Sequence, residues 1–230
     1  MKQTQILYQN EEILVINKES GVSVQGGSGI SHPLDEELSK QLGYKVYLVH
    51  RLDKETSGLM VVAKSAQAAS KWIKQIAGKL VKKEYTAVCF GKPLVNGREC
   101  DSGVLRDSVT KAGREMSAVT EFKLIKSGQV EIPQKSGSEG ESEKITFSLV
   151  HLTLGTGRMH QIRIHLAKAC APIAEDDKHG NFKLNKKIRP LKIKKLCLAS
   201  TRLTIPLENG GTKVFETDLP EHMNRLAELF

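Results

Sequence analysis

Short strand-like segments recur along the whole sequence, and their number limits the chain to a fold built around a β-sheet. They combine β-branched and aromatic residues with apolar runs or apolar–polar alternation. The segments are residues 5–17, 45–49, 59–63, 82–91, 117–125, 145–154 and 196–205. The helical patterns, with their flanking turns, are residues 33–44, 65–80, 154–170 and 219–230. Because most connections are short, we predict an α+β fold with a mainly antiparallel mixed sheet, flanked by helices and loops.

The length of 230 residues suits one large domain or two small ones. Residues 134–143 contain no apolar side chain, so burial cannot offset the entropy cost of ordering them. A strong strand pattern resumes at residue 145, which favours a hairpin tip over a domain boundary. We therefore predict a single domain over residues 1–230, with a flexible hairpin tip at about 126–144.

The composition excludes several classes of protein. Hydrophobic residues make up 39% and charged residues 27% of the chain, as in an ordinary globular protein. The four cysteines form no C-x-x-C pair and the N-terminus lacks a secretory signal, so we predict reduced thiols in a cytoplasmic protein. No apolar run reaches the roughly 18 residues that a membrane-spanning helix needs. A net charge of +9 favours a polyanionic partner.

The stretch VHRLDKETSGLMVVAKS, residues 49–65, joins a charged turn to a buried strand. Asp53 lies between Arg51 and Lys54, and nearby cations favour the charged form of a carboxylate. A charged carboxylate suits a nucleophile or an electrostatic stabiliser better than it suits a proton donor. The alternative interpretation is a turn-capping aspartate beside a surface arginine.

The stretch TGRMHQIRIH gathers positive charge at the start of a predicted helix. Arg158, His160 and Arg163 lie near the end that is already positive because of the helix dipole. We expect an anion there, either a phosphate or the carboxylate of Asp53. His160 and His165 are five residues apart, which disfavours a zinc site. The alternative is a basic amphipathic helix with a solvated face.

Residues 183–196 carry seven Lys or Arg side chains in 14 positions, interleaved with apolar residues. The alternation predicts that one side of this segment packs while the other faces water. Such a positive ridge suits phosphates, although a merely solvated face fits the pattern equally well. The glycine-rich loop at residues 26–29 lacks the spacing of a P-loop or a dinucleotide-binding motif.

Four segments of the chain resemble the RluA-type pseudouridine synthases, in the family's order. HRLDKETSGLMVVAK resembles the signature H-R-L-D-x-x-T-S-G, and GRMHQIRIHLAKACAPI resembles G-R-x-H-Q-[IL]-R-x-H-x-x-x-x-G-x-P-I. KKEYTAVCFG resembles the strand K-x-Y-x-A-x-V-x-G, and LVINKESGVSVQGGSG resembles the opening segment N-K-P-x-G-x-x-V-x-G-G. VQGGSG and PIAEDDKHGN look most like the RluC branch, which modifies large-subunit ribosomal RNA.

The chain departs from the family pattern at positions to which we assign no chemistry: Glu19, Cys170, Ala171, His179, Ala199 and Ser200. It also starts directly at the catalytic domain, whereas that branch usually carries an N-terminal RNA-binding domain. We therefore expect no separate N-terminal RNA-binding domain, and a transfer RNA target stays open.

The resemblance implies a pseudouridine synthase catalytic fold with a central catalytic cleft, which isomerises uridine in structured RNA after base flipping. It implies that Asp53 is the essential carboxylate, that Tyr85 lies against the flipped base, and that Arg163 forms a salt bridge with Asp53. It assigns RNA binding to His50, Arg51, Arg158, His160 and Gln161. It also implies no metal or other cofactor, RNA as the partner, no membrane contact and a monomer.

Three alternatives stay open alongside ribosomal RNA modification. The chain could modify transfer RNA, or it could be a catalytically inactive RNA-binding or ribosome-assembly module. It could also be a glycoside or nucleoside hydrolase with a carboxylate pair, which would release free uracil. The sequence does not decide whether Asp53 attacks the anomeric carbon or removes the neighbouring 2′ proton.

Overall fold

The computed structural model describes residues 3–27, 29–111, 114–133 and 142–230. Its strands are β1 (Gln5–Gln9), β2 (Ile13–Lys18), β3 (Tyr47–Leu48), β4 (Ser57–Ala63), β5 (Lys82–Phe90), β6 (Leu94–Val95), β7 (Arg98–Glu99), β8 (Ser102–Lys111), β9 (Arg114–Pro133), β10 (Ser142–Leu154), β11 (Leu198–Pro206) and β12 (Thr212–Glu216). Its α-helices are α1 (Leu34–Leu42), α2 (Ala66–Ala77), α3 (Gln161–Lys168), α4 (Phe182–Lys187) and α5 (Glu221–Ala227). A 3-10 helix covers Arg189–Leu191.

The chain forms two compact units. The first unit contains Met1–Lys83 and Ala199–Asp218, and the second contains Glu84–Leu198 and Leu219–Phe230. The single domain over residues 1–230 stays a prediction. None of the described helices is both long and apolar enough to cross a lipid bilayer.

In the first unit the strand order is β1-β2-β4-β11, with β3 paired to β4 and β12 paired to β11. β4 and β11 run parallel, while the other pairings of this unit are antiparallel. The mainly antiparallel mixed sheet predicted from the sequence is therefore confirmed, as is the α+β class.

Helix α2 covers one face of this sheet and closes the core of the first unit. Ser65 caps the helix, because its Oγ accepts a hydrogen bond of 3.1 Å from the backbone N–H of Ala68. Trp72 is buried in the core, and its indole N–H donates to Oε2 of Glu12 at 3.1 Å. The predicted helix at 65–80 is confirmed, with its last turn ending before Gly78.

Gly58 fixes the start of β4. Its φ of 107° lies in the region that favours glycine, and a Cβ at this position would overlap the backbone carbonyl oxygen of Ser200 on β11. The parallel register Gly58↔Ser200 therefore requires the absence of a side chain at residue 58. This close approach anchors the strand that follows the charged turn at residues 50–56.

In the second unit the strand order is β5-β10-β9-β8, and every pairing is antiparallel. The β9–β10 ladder reaches Pro133↔Ser142, so residues 126–133 and 142–144 are strands and not part of a hairpin tip. The prediction was too wide because the buried side chains of Val130, Ile132 and Ile145 hold these strand ends in the core. Residues 134–141 lie outside the described residues.

Candidate active site

Asp53 belongs to a turn that delivers the chain into β4. The N–H of Thr56 donates to the backbone oxygen of Asp53 at 3.1 Å, and β4 begins at the next residue, Ser57. Leu52 is buried, Asp53 is half-buried and Arg51 is exposed. The turn therefore partly buries the carboxylate of Asp53 at the start of the buried strand β4, while the guanidinium of Arg51 faces solvent beside it.

Lys18 ties this turn to the loop that follows β2. Its side chain is only 1% exposed, and its Nζ donates to the backbone oxygens of Glu19 at 3.0 Å, Val22 at 2.9 Å and Lys54 at 3.0 Å. Burial lowers the pKa of Lys18 to about 8, although the negative charges of Glu55 and Asp53 oppose that shift. Lys18 was missed as a site residue, although it lies in the segment LVINKESG that carried part of the family resemblance.

The protonation of Lys18 gives the stability of the protein a defined pH dependence. The pKa is about 8 in the folded state against an ordinary value of 10.5, so the unfolded chain holds the extra proton between these two values. Stability should therefore rise with pH across this window, by about 3 kcal/mol relative to Lys18→Met, which has no such proton. Urea unfolding of both proteins between pH 7 and pH 10.5 measures this difference.

Lys74→Met serves as the matched control for that experiment, because Lys74 is exposed on α2. Its stability should follow the wild-type curve across the same pH range. If the free energy of unfolding changes with pH in the same way for Lys18→Met and the wild type, folding does not lower the pKa of Lys18.

His50 has an internal hydrogen bond in the first unit. Its Nε2 accepts from the backbone N–H of Val61 on β4 at 3.0 Å. Burial, with a smaller contribution from the positive charge of Lys83, lowers the pKa of His50 to about 3. The ring is therefore neutral at physiological pH, and its predicted role in RNA binding stays a prediction.

Gln161 organises the turn that leads into α3 in the second unit. Its Oε1 accepts from the hydroxyl of Thr156 at 2.7 Å and from the N–H of Arg158 at 3.0 Å. Its Nε2 donates to the oxygens Val119 O and Thr120 Oγ1 on β9, both at 2.9 Å. The buried amide thus holds the turn against β9, while RNA binding by Gln161 stays a prediction.

Arg163 forms a two-pronged ion pair inside the second unit. Its Nε and Nη2 donate to the two carboxylate oxygens of Asp176 at 2.8 and 2.6 Å, and both side chains are at most 2% exposed. Asp177 lies 3.5 Å from the same guanidinium but is 76% exposed. The sequence predicted a phosphate or the carboxylate of Asp53 beside α3. Within the second unit the structure places the carboxylate of Asp176 there, a residue that sequence reasoning missed inside the segment PIAEDDKHGN.

The turn after Asp176 is built around its carboxylate. The N–H groups of Lys178 and His179 each donate to Oδ1 of Asp176 at 3.0 Å. Burial raises the pKa of Asp176, but the hydrogen bonds and charge of Arg163, together with the N–H groups of His179 and Lys178, outweigh it and hold that pKa below its ordinary value. At Gly180 a Cβ would overlap the backbone oxygen of Asp176, so the turn leaves no room for a side chain there.

His160 and His179 form a second link between α3 and this turn. Nδ1 of His160 lies 2.8 Å from Nε2 of His179, and the rings meet edge to face. His160 has a φ of 52°, which is the left-handed backbone that starts α3. Arg158, two residues earlier, is half-buried and donates from Nε to the backbone oxygen of Ser117 at 3.3 Å.

Tyr85 lies on β5 in the second unit, where it is buried and faces Leu152 of β10 in the ladder. The predicted residues therefore fall into two groups. His50, Arg51 and Asp53 belong to the first unit, and Tyr85, Arg158, His160, Gln161 and Arg163 belong to the second. The salt bridge between Asp53 and Arg163 stays a prediction, as does the shared catalytic cleft.

The described residues contain no group of three or more His, Cys, Asp or Glu side chains suited to a metal ion.

Comparisons with known proteins agree with the sequence resemblance. The family model described as RNA pseudouridylate synthase matches residues 12–168. A ribosomal large subunit pseudouridine synthase C of Haemophilus influenzae is 30% identical over 230 residues, which cover 98% of this chain and 68% of that protein. The protein of the same name in Rickettsia felis is 37% identical over 188 residues, which cover 76% of this chain. The match spans only 56% of the Rickettsia felis protein's length.

A solved structure has the same fold. The human RNA pseudouridylate synthase domain containing 4 superposes with a TM-score of 0.73 at 22% identity, covering 97% of this chain and 92% of that one. The human domain containing 1 superposes with a TM-score of 0.68 at 18% identity, covering 99% and 94%. From its family match, its relatives and its fold, the chain belongs to the RNA pseudouridylate synthase family.

Proposed function

We propose that this protein isomerises uridine to pseudouridine in structured RNA, with large-subunit ribosomal RNA as its substrate. The observation that carries the proposal is the half-buried carboxylate of Asp53, held at the entrance of β4 in a turn that Lys18 braces. Membership of the family and the names of the relatives support this reaction and this class of RNA.

The reaction needs one carboxylate that acts on the sugar. Asp53 either attacks the anomeric carbon or removes the 2′ proton while the bond between that carbon and N1 of uracil breaks. The detached uracil then rotates and bonds to the same carbon through C5. In the first route this bond replaces the ester bond to Asp53, and in the second route Asp53 returns the proton to the 2′ carbon. The proton on C5 leaves and N1 gains a proton, so the product is an isomer of the substrate. No electrons are gained or lost overall.

The other predicted residues prepare this step. Tyr85 stacks on the flipped base, and its hydroxyl assists removal of the C5 proton. Arg163, fixed by its two hydrogen bonds to Asp176, orients Asp53. Arg51 fills the space that the flipped nucleotide leaves and contacts phosphate, which helps to offset an unstacking cost of a few kcal/mol.

The release of tritium tests the proposal directly, because the C5 hydrogen must leave during isomerisation. The protein is incubated with large-subunit ribosomal RNA that carries tritium at C5 of uracil. We expect tritium in water together with pseudouridine in the RNA. Free uracil would instead identify a hydrolase. Binding without any release would identify an inactive RNA-binding module, and release only from transfer RNA would overturn the ribosomal substrate.

A further inference from the structure

Nearly all of the net positive charge lies in one short segment, residues 178–195, which we term the basic platform. The segment holds eight of the 35 Lys and Arg residues and no Asp or Glu. The rest of the chain therefore carries 27 basic against 26 acidic residues, a balance close to neutral. A charge concentrated in this way marks a surface for an anionic partner more strongly than a charge spread over the chain.

All eight basic side chains of the platform are exposed: Lys178, Lys183, Lys186, Lys187, Arg189, Lys192, Lys194 and Lys195. Ile188, Ile193 and Leu196 are buried and anchor the segment to the second unit. The alternation predicted from the sequence is thus present, with apolar side chains packed inward and cations facing water. Lys187 pairs with Glu143 at 2.5 Å, so one of the eight charges is engaged by a neighbouring strand.

Two large apolar side chains are exposed beside these cations. Met159 is 76% exposed and Phe182 is 74% exposed, the highest values among the large hydrophobic residues that the structure describes. The hydrogen bond between His160 and His179 joins the turn of Met159 to the turn that precedes Phe182. An aromatic face among exposed lysines is the combination that binds single-stranded nucleic acid, because bases stack on the ring while cations contact phosphates.

The platform is attached to the turn that holds Arg163. Nδ2 of Asn185 on α4 donates to the backbone oxygen of Asp176 at 3.1 Å, and its Oδ1 accepts from the N–H of Glu175 at 3.0 Å. The side chain of Asn181 caps α4 by accepting from the N–H of Leu184 at 3.1 Å. Helix α4 is therefore fixed to the same turn whose carboxylate pairs with Arg163, so a strand bound on α4 lies beside the candidate active site within this unit.

We propose that the basic platform is a second RNA-contacting surface, which holds a single-stranded stretch of the substrate by stacking a base on Phe182 and by contacting phosphates with its lysines. This inference rests on the proposed function for the identity of the RNA, but the surface itself is defined by charge and exposure alone. Its role is to bind and position RNA outside the catalytic step.

The test compares two kinds of variant in binding to a 20-nucleotide single-stranded RNA of mixed sequence. A triple variant, Lys183→Gln with Lys186→Gln and Lys192→Gln, should reduce the slope of log Kd against log salt concentration by about 2. The matched triple variant changes Lys45, Lys74 and Lys123 to Gln, which are exposed elsewhere. It should leave the slope nearly unchanged, because its side chains lie outside the platform.

Phe182 is tested separately, because stacking is not an effect of charge. Phe182→Leu keeps an apolar side chain but removes the aromatic face, so single-strand affinity should fall by about tenfold while the salt slope stays constant. Phe182→Trp should restore the affinity. Equal affinity of Phe182→Leu and the wild type, or equal slopes for the two triple variants, would overturn the proposal.

Two further measurements distinguish an RNA-binding platform from a membrane-binding surface and from a part of the catalytic step. Vesicles of phosphatidylglycerol should bind the platform triple variant and its matched control equally, and a loss of vesicle binding without a loss of RNA binding would identify a membrane partner instead. In Phe182→Leu, tritium release at RNA concentrations below saturation should fall in proportion to the lost affinity and should recover as the RNA concentration is raised; a loss that more RNA does not reverse would place Phe182 in the catalytic step and overturn the proposal. Should the wild type release no tritium, the proposed function fails, while the binding measurements still decide the platform.

Discussion

Replacement of Asp53 by Asn is expected to abolish tritium release, with a loss of at least about 10³-fold, or about 4 kcal/mol of transition-state stabilisation. The amide keeps the size of the side chain but removes the charge that the proposed mechanism needs at the sugar. Asp53→Glu restores the charge and moves it by about one methylene, which should still cost about 10²-fold because the turn fixes its position. Single-turnover assays with C5-tritiated ribosomal RNA measure both losses.

Glu55→Gln is the matched control, because Glu55 lies two residues further along the same turn and also faces Lys18. It removes one negative charge from the turn and should change the rate by less than about fivefold. Binding of RNA by Asp53→Asn should persist and should weaken with salt, because phosphate contacts do not depend on this carboxylate. Activity in Asp53→Asn close to that of the wild type would refute the proposed mechanism.

The second large effect is expected at the buried ion pair of Arg163 and Asp176. Asp176→Asn keeps the shape of the side chain but removes the buried counter-charge from the guanidinium of Arg163, which is 2% exposed. Removing one partner of a buried pair commonly costs about 3–5 kcal/mol, and we expect a loss of this size in the free energy of unfolding. Urea unfolding measured by circular dichroism gives the value.

Asp177→Asn is the control, since Asp177 contacts the same guanidinium from an exposed position. Exposed pairs contribute at most about 1 kcal/mol, so this variant should remain close to the wild type. Wild-type stability of Asp176→Asn would show that the pair does not hold the turn.

A double variant separates the structural role of the pair from the proposed role of Arg163 in positioning Asp53. Arg163→Met combined with Asp176→Asn removes both buried charges but keeps an oxygen that accepts from the N–H groups of Lys178 and His179, so it should restore much of the stability that a single replacement removes. We expect recovered stability without recovered tritium release, because the proposed mechanism needs Arg163 to orient Asp53. Recovery of both would assign Arg163 a purely structural role.

The sequence predicted local features well where the local signal was strong. The turn before β4 follows from five titratable residues beside the apolar run 59–63, and the start of α2 follows from Ser65 as its N-cap. The fold class followed from the number of strands and the short links between them. Each of these predictions depends on residues that lie close together in the sequence, so the sequence alone is enough to make it.

The partner of Arg163 could not be derived in this way. Asp176 lies 13 residues beyond Arg163 and past the end of α3, so the two meet only in the folded chain. Helix α3 also buries Gln161, Arg163 and His165, three polar side chains of a segment for which a basic helix with a solvated face was the alternative interpretation. A polar residue that is buried with its partners cannot be told from an exposed one by helical spacing alone.

Trp72 gives the molecule an optical reporter that is specific to one half of it. It is the only tryptophan in the sequence, and it is buried in the core of the first unit. Its emission therefore follows the melting of that unit, whereas the amide signal in the far ultraviolet averages over both. If urea changes the amide signal of Asp176→Asn at a lower concentration than it changes the emission of Trp72, the two units unfold independently. Coincident changes in the two signals would show that the units unfold as one cooperative body.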